Sequence, residues 1–428
     1  MTGVAERPFA LSAAQDQLVG EVRELAREVL APLAAAGRPG RVNRGLVRAL
    51  GAHGLLGRVL PAAPDAAAGV SAMELCLLRE ALARESTEAE TALALQGLGG
   101  FPVAVWGSSG VRERFLPDLV AGRAVAAFAL SEEAAGSDAG GLELRADPDG
   151  EGFLLSGTKA WISNAPEADV YTLFARTTPG GRSRGITAFA VPGDAPGLAG
   201  EALELLAPHA IGRLELDGVR AGPEQVLGRV DEGFGLAMAT LDRFRPSVGA
   251  FAVGMAQAAL DAAVAHTADR QAFGRPLREF QAVSHQLADV ATRLHAARRR
   301  AFGRPLREFQ AVAHALAEAA TRTQAARLLV YEAASRYDAD PAAPGVTGAA
   351  AMAKLYATET AQVVVDQAVQ VLGARALERG HLLEHLYREV RAPRIYEGTS
   401  EIQRGIIARE LFRDTVGPGD SEGEEGRP

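Results

Sequence analysis

Phe153-Leu154-Leu155-Ser156-Gly157-Thr158-Lys159-Ala160-Trp161-Ile162-Ser163-Asn164 is the stretch on which the fold turns. Its β-formers follow the turn cluster Asp147-Pro148-Asp149-Gly150, so it reads as a strand. Similar short runs recur at Val170 to Ala175, Ile186 to Val191 and Leu214 to Leu216, separated by turns such as Thr178-Pro179-Gly180-Gly181. Together they predict a small antiparallel β domain, a barrel or sandwich, over residues 126–233. Outside it the period changes. Gln15 to Ala34 places Leu18, Val19, Val22, Leu25, Val29 and Leu30 close to a 3.6-residue repeat. Further helical stretches cover Val42 to His53, Ser71 to Ser86 and Val111 to Ala121. Helical periodicity returns from Phe234 to Phe412. The expected fold class is therefore α+β multidomain: a helical domain at 1–125, the β domain, and a helical bundle at 234–412. Residues 413–428 are Gly-, Pro- and acid-rich and are expected to form a disordered tail. A β domain between two helical ones makes interface clefts, where ligand sites tend to lie.

The bulk numbers narrow the function classes. The chain has 428 residues and a net charge of -8, which does not suggest a nucleic-acid partner. The single cysteine, Cys76, cannot form an intrachain disulfide and fits a reducing compartment. The first residues lack a basic run followed by an apolar one, so no signal peptide is expected. No apolar run approaches the roughly 18 residues of a membrane span, so the expectation is a cytoplasmic protein with no membrane partner. Lysine is nearly absent: of 45 basic residues only Lys159 and Lys354 are lysine. With the abundant Ala and Gly, this reads as a GC-rich coding bias.

Residues 270–298 and 299–327 form a tandem repeat, identical at 22 of 29 positions. Two copies are too few for a solenoid, so an in-frame duplication is the better reading. Twenty-nine residues make about eight helical turns, which keeps flanking faces in phase. Each copy nevertheless opens on a breaker, Gly274-Arg275-Pro276 and Gly303-Arg304-Pro305. Interior Pro costs about 3 kcal/mol, so one continuous helix through residue 305 is not expected.

The chemistry concentrates in Arg394-Ile395-Tyr396-Glu397-Gly398-Thr399-Ser400-Glu401-Ile402-Gln403. Ser400-Glu401-Ile402-Gln403 fits a capping box, so a helix is expected to start there. Glu397 then sits just outside a helix N-terminus beside a flexible Gly. A carboxylate so placed can remove a proton next to a carbonyl, while main-chain N–H groups meet the developing charge. The alternative is a capped surface helix behind an exposed Glu, and the decapeptide alone divides the two evenly.

Over about residues 11–412 the chain resembles the acyl-CoA dehydrogenases. Four motifs carry the resemblance: Phe128-Ala129-Leu130-Ser131-Glu132-Glu133-Ala134-Ala135-Gly136-Ser137-Asp138, Gly157 to Asn164, Arg270-Gln271-Ala272-Phe273-Gly274, and Ile395-Tyr396-Glu397-Gly398-Thr399. The resemblance implies FAD. Phe128, Leu130, Ser131, Gly136, Ser137, Trp161 and Ser163 would hold its flavin, with Ser163 near N5. Small residues before Ser137 allow close main-chain approach, and the hydroxyls can meet a flavin edge. Trp161 can pack on the ring, or equally be a core aromatic of the β domain. The resemblance also implies a homodimer or homotetramer in which Arg270, Phe273, Gln281, Gln370, Gly373, Thr399 and Glu401 serve cofactor binding, some of them towards a neighbour's FAD. Arg270 alone could equally be a cation at a helix C-terminus. Arg299 and Phe302 match as well as Arg270 and Phe273; the first copy is preferred because it follows the long helix from Leu236. Ala374, Ala376 and Leu377 depart from the family's glycine-rich pattern around Gly373.

Glu397 would be the general base. Ser137, Arg245, Tyr396 and Gly398 would face substrate. Phe244 stands where some members place their base, so Glu397 is the sole candidate. The implied reaction is α,β-dehydrogenation of an acyl thioester, carried by coenzyme A or by acyl carrier protein, to the trans-2-enoyl thioester. Electron transfer flavoprotein is the implied acceptor, and no metal is called for. The rival readings are a same-fold flavin oxidase or monooxygenase, and a non-catalytic member impaired by the duplication.

Overall fold

The computed structural model describes residues 11–61, 71–181, 183–269, 271–272, 275–276 and 310–412. The first helix, α1 (Ala13–Leu25), starts on a capping box: Gln15 N–H donates to Ser12 Oγ at 3.2 Å, and Ser12 N–H to the Gln15 side chain at 2.9 Å. The helical path continues through a π turn (Ala26–Leu30) into α2 (Ala31–Ala35), followed by α3 (Arg44–Ala52). Then come α4 (Ala72–Glu85), α5 (Thr87–Trp106) and α6 (Ser109–Val120). Helix α5 is apolar almost all round and lies in the core against the sheet. Its Gly99 permits the approach: a Cβ there would stand 2.6 Å from the Ala127 nitrogen. Thr172 Oγ1 donates to the Gly99 carbonyl at 2.8 Å, closing the same seam.

Eight strands follow: β1 (Ala126–Ala129), β2 (Arg145–Asp149), β3 (Gly152–Ser163), β4 (Val170–Arg176), β5 (Ile186–Pro192), β6 (Leu198–Ala202), β7 (Ile211–Ala221) and β8 (Val226–Leu227). They form one sheet in the order β6-β7-β3-β2-β4-β5-β8, with β1 on β4. Most pairs are antiparallel, as the short runs and turns predict. The β1–β4 and β2–β4 pairs are parallel, so the sheet is mixed. Residues 152–163 form the strand expected of them, with register shifts against β7 between Leu155 and Gly157 and between Lys159 and Ile162. The second shift places Trp161 at φ 56, where its side chain leaves the core.

The C-terminal bundle comprises α7 (Gly233–Asp269), α8 (Gln310–Ala339), α9 (Val346–Leu372), α10 (Leu382–Glu389) and α11 (Ser400–Phe412). Helix α7 corrects one expectation. It contains a run long and apolar enough to cross a bilayer, but 72% of that window is buried inside the protein, so it serves as a core helix. Gly254 brings it against α4: a Cβ there would meet the Ala83 Cβ at 2.6 Å. The two layers are also tied by Asp338 of α8. Its carboxylate accepts from Ser71 Oγ at 2.6 Å, Ala72 N–H at 2.6 Å and Met73 N–H at 2.9 Å, capping α4 from another helix. Helix α7 ends at Asp269, and strands Gln271–Ala272 (β9) and Arg275–Pro276 (β10) pair antiparallel just beyond it. The rest of the first repeat copy and the start of the second lie outside the described residues.

Candidate active site

The loop between α10 and α11 carries the strained backbone expected of a functional position. Glu397 sits at φ 52 and Gly398 at φ 91. A non-glycine residue in that region costs on the order of 1–3 kcal/mol and persists only where its surroundings hold it. Three donor contacts do so. Gln403 Nε2 donates to the Glu397 and Gly398 carbonyls, each at 3.0 Å, and Lys354 Nζ donates to the Gly398 carbonyl at 2.7 Å. Glycine is favoured at 398 because φ 91 strains any L side chain, and a Cβ would also crowd Gln403 Nε2 at 2.5 Å.

Helix α11 begins at Ser400 as expected, but its cap differs. Thr399 Oγ1 accepts from Ile402 N–H at 3.4 Å, while Ser400 Oγ turns away to donate to Glu359 at 2.6 Å. Gln403 is drawn to the strained carbonyls, so the expected capping box on Ser400 does not form. Glu359 also binds Arg394 at 2.8 Å, fixing the loop's entry.

Glu397 Oε2 is buried and has no hydrogen-bond partner among the described residues. Burial pushes its carboxyl above the usual carboxylate range, against the opposing pull of Arg79, Arg245 and Lys354. Arg79, 2% exposed, pairs with the buried Glu90 and donates to Ser247 Oγ at 2.7 Å. Arg245, 6% exposed, pairs with Asp242. Burial lowers Lys354 to about 8, although Glu397 favours its charged form. Tyr396 is held well above the ordinary phenol range, chiefly by burial and then by Glu90. Arg245 acts electrostatically on Glu397, and Tyr396 and Gly398 flank it in the chain. Phe244 is buried against Phe101, ring to ring at 6.1 Å, so position 244 itself offers no carboxylate.

A second constellation unites the segments 128–137 and 157–164. Ala160 N–H donates to the Ser131 carbonyl at 3.0 Å. Lys159 Nζ donates to the Leu130 carbonyl at 3.0 Å and to Glu132 Oε1 at 2.8 Å. Glu132 in turn accepts from Glu143 N–H at 2.6 Å and Leu144 N–H at 3.0 Å. Phe128 packs on Phe174 at 4.9 Å between centroids, and Leu130 is buried. Gly136 and Ser137 are exposed on the loop, and Ser163 is half-buried at the end of β3. Trp161 is 46% exposed, which removes the reading of it as a core aromatic. A Cβ on Gly136 would meet nothing within 4 Å. An uncovered indole, nearby hydroxyls and open space over small-residue main chain fit a flat polar ring system.

Other candidates stand apart. Gln370 is exposed near the end of α9, and Gly373 terminates that helix at φ 69. Glu401 is exposed on the first turn of α11 and tied to Arg404 at 3.5 Å. Arg270, Phe273 and Gln281 lie outside the described residues. Sequence reading missed Arg79, Glu90, Glu132, Lys354 and Gln403 as parts of the site. For most of these only the tertiary fold supplies the signal. Among the described residues no cluster of His, Cys, Asp and Glu could hold a metal ion.

Sequence profiles described as "Acyl-CoA dehydrogenase, N-terminal domain", "middle domain" and "C-terminal domain" match residues 12–123, 127–219, and 231–299 with 295–412. The chain belongs to the acyl-CoA dehydrogenase family. The two acyl-CoA dehydrogenase C-terminal matches meet at the junction of the repeat copies. Cyclohexane-1-carbonyl-CoA dehydrogenase of Geobacter metallireducens is 34% identical over 399 residues, 92% of this chain and 96% of that one. The mitochondrial short-chain specific acyl-CoA dehydrogenase of Bos taurus is 34% identical over 398 residues, 91% of this chain and 88% of that one. Butyryl-CoA dehydrogenase from Megasphaera elsdenii superposes with a TM-score of 0.81 at 29% identity, covering 95% of this chain and 100% of that one. A glutaryl-coenzyme A dehydrogenase in complex with glutaryl-CoA gives the same TM-score and identity, covering 95% of this chain and 97% of that one.

Proposed function

We propose that this acyl-CoA dehydrogenase uses FAD to desaturate an acyl-CoA between Cα and Cβ, with Glu397 as the general base. The observation that carries the reading is the buried, unpartnered Oε2 of Glu397 beside Arg79, Arg245 and Lys354. An acid whose proton affinity is raised by burial is the stronger base when ionised. The surrounding cations limit the rise, so that the carboxylate form stays accessible. The strained loop points that oxygen while the α11 N-terminus lies just beyond it. The main-chain N–H of Glu397 is the donor we assign to the thioester oxygen, where enolate charge develops. Leu130, Ser131, Gly136, Ser137, Trp161 and Ser163 would hold the flavin. When bound, FAD accepts the β-hydrogen as hydride.

The similarity to CoA-thioester dehydrogenases supports coenzyme A over acyl carrier protein. One solved relative is titled an electron transferring flavoprotein of Acidaminococcus fermentans, with a TM-score of 0.81 and 29% identity. We propose an electron transferring flavoprotein as the acceptor and a homo-oligomer as the working form. Product analysis tests the reaction. Incubation with a panel of acyl-CoA thioesters and an artificial electron acceptor is expected to yield trans-2-enoyl-CoA and little hydrogen peroxide in air. Peroxide formed in step with enoyl product would make the protein an oxidase instead. No product from any thioester, with flavin bound, would reject the reading.

A further inference from the structure

Lysine fills only two of the chain's 45 basic positions, and both lysines, Lys159 and Lys354, are 0% exposed. Burial alone does not select lysine, since Arg79 and Arg245 are nearly as buried. What the two lysines share is a main-chain carbonyl partner, to which Lys159 adds the Glu132 carboxylate. Arg79 and Arg245 face carboxylates, which suit a planar guanidinium fork. Each lysine delivers its compact ammonium to one main-chain carbonyl: Lys159 to Leu130 at 3.0 Å, and Lys354 to Gly398 at 2.7 Å. Leu130 opens the loop bearing Ser131, Gly136 and Ser137. Gly398 follows Glu397.

We propose that Lys159 and Lys354 are the positioning residues for the two halves of the site, Lys159 setting the flavin-side loop and Lys354 setting the base. The proposal rests on the assignment of Glu397 and of the 130–163 flavin site. Lys159 has a second anchor in Glu132, whose carboxylate gathers the Glu143 and Leu144 N–H groups. The ammonium therefore ties both ends of the 130–144 loop to β3, two residues from Trp161. Glu397, Arg245, Glu359 and Glu401 act on Lys354 electrostatically. With Gln403 it holds the φ 52 and φ 91 pair in place. A guanidinium is longer and planar, so arginine at either buried position is expected to displace the loop.

The test uses full-length Lys159→Met, Lys159→Arg, Lys354→Met and Lys354→Arg, with Glu397→Gln in parallel. Both Lys354 variants are expected to keep their flavin but to be reduced by thioester about 10²-fold more slowly, the scale of a small misplacement of reacting groups. The Lys354→Met pH–rate profile should also shift upward, because a cation near the carboxylate is gone. Both Lys159 variants should purify with less flavin and bind added FAD more weakly. Their loaded fraction should be reduced at close to the wild-type rate. Wild-type flavin retention, rate and pH profile in all four variants, with only melting temperature altered, overturns the proposal; so does full rescue by arginine. Should a methionine variant fail to fold, the charge-conserving arginine variant at that site decides by the same readouts. Glu397→Gln separates the two layers. If it keeps wild-type turnover, the base assignment falls and the Lys354 role falls with it. If it is inactive while Lys354→Met matches wild type, only the lysine proposal fails.

Discussion

Glu397 carries its charge at a cost, and that cost is measurable. Burial raises its proton affinity in the folded protein, against Arg79, Arg245 and Lys354. The native state therefore binds this proton more tightly than the unfolded chain does. Between the ordinary carboxylate range and the raised native value, this group makes stability fall as pH rises. The rate of flavin reduction should do the opposite, climbing through the native ionisation as the base becomes available. Stopped-flow reduction against pH, together with thermal melts in the same buffers, checks both signs. Glu397→Gln should flatten the stability trend; a reduction rate independent of pH across this range would contradict the assignment. The decapeptide alone left Glu397 evenly divided between a base and an exposed surface acid; the family resemblance pointed to the base. Its electrostatic partners were not legible in the sequence. Arg79 and Glu90 lie on α4 and α5, more than three hundred residues away in sequence, and only the fold brings them together.

The kind of element was more legible than its caps. The change from a 3.6 to a 2 period located the sheet, since each periodicity buries one face only in its own conformation. Caps escaped because they compete for donors that sequence does not show. Ser400 looked like the cap of α11, yet Glu359 on α9 claims its hydroxyl and Thr399 takes the role. Helix α4 shows the same effect at larger scale. Ser71 accepts from Glu74 N–H at 3.0 Å locally, but Asp338 supplies the remaining acceptors from α8. Asp338→Ala should lower unfolding stability by about 1–2 kcal/mol, the usual size of a lost cap. Urea denaturation reads this as a lower midpoint at unchanged slope. An unchanged midpoint would show that the α4 cap does not couple the two helical layers.

Across the whole molecule, the helix–sheet–helix order followed from sequence, while the strand order and its parallel pairs did not. Pairing depends on which apolar faces meet after the helices have docked, and no local period encodes that. The candidate site likewise depends on distant segments: residues 128–137 meet 157–164, and the 395–403 loop meets the buried charges of α4 and α9. Trp161 illustrates the limit: one residue of register shift separates a core aromatic from an exposed one, and only the sheet fixes the register. The central claim is that this assembly presents one carboxylate to one substrate proton. Anaerobic mixing of the flavin-loaded protein with its best acyl-CoA, for wild type and Glu397→Gln side by side, tests it most directly. Wild type should lose its oxidised-flavin absorbance rapidly. The variant should stay yellow and be reduced at least about 10²-fold more slowly, the scale of a lost general base. Equal bleaching rates in the two proteins would contradict that claim.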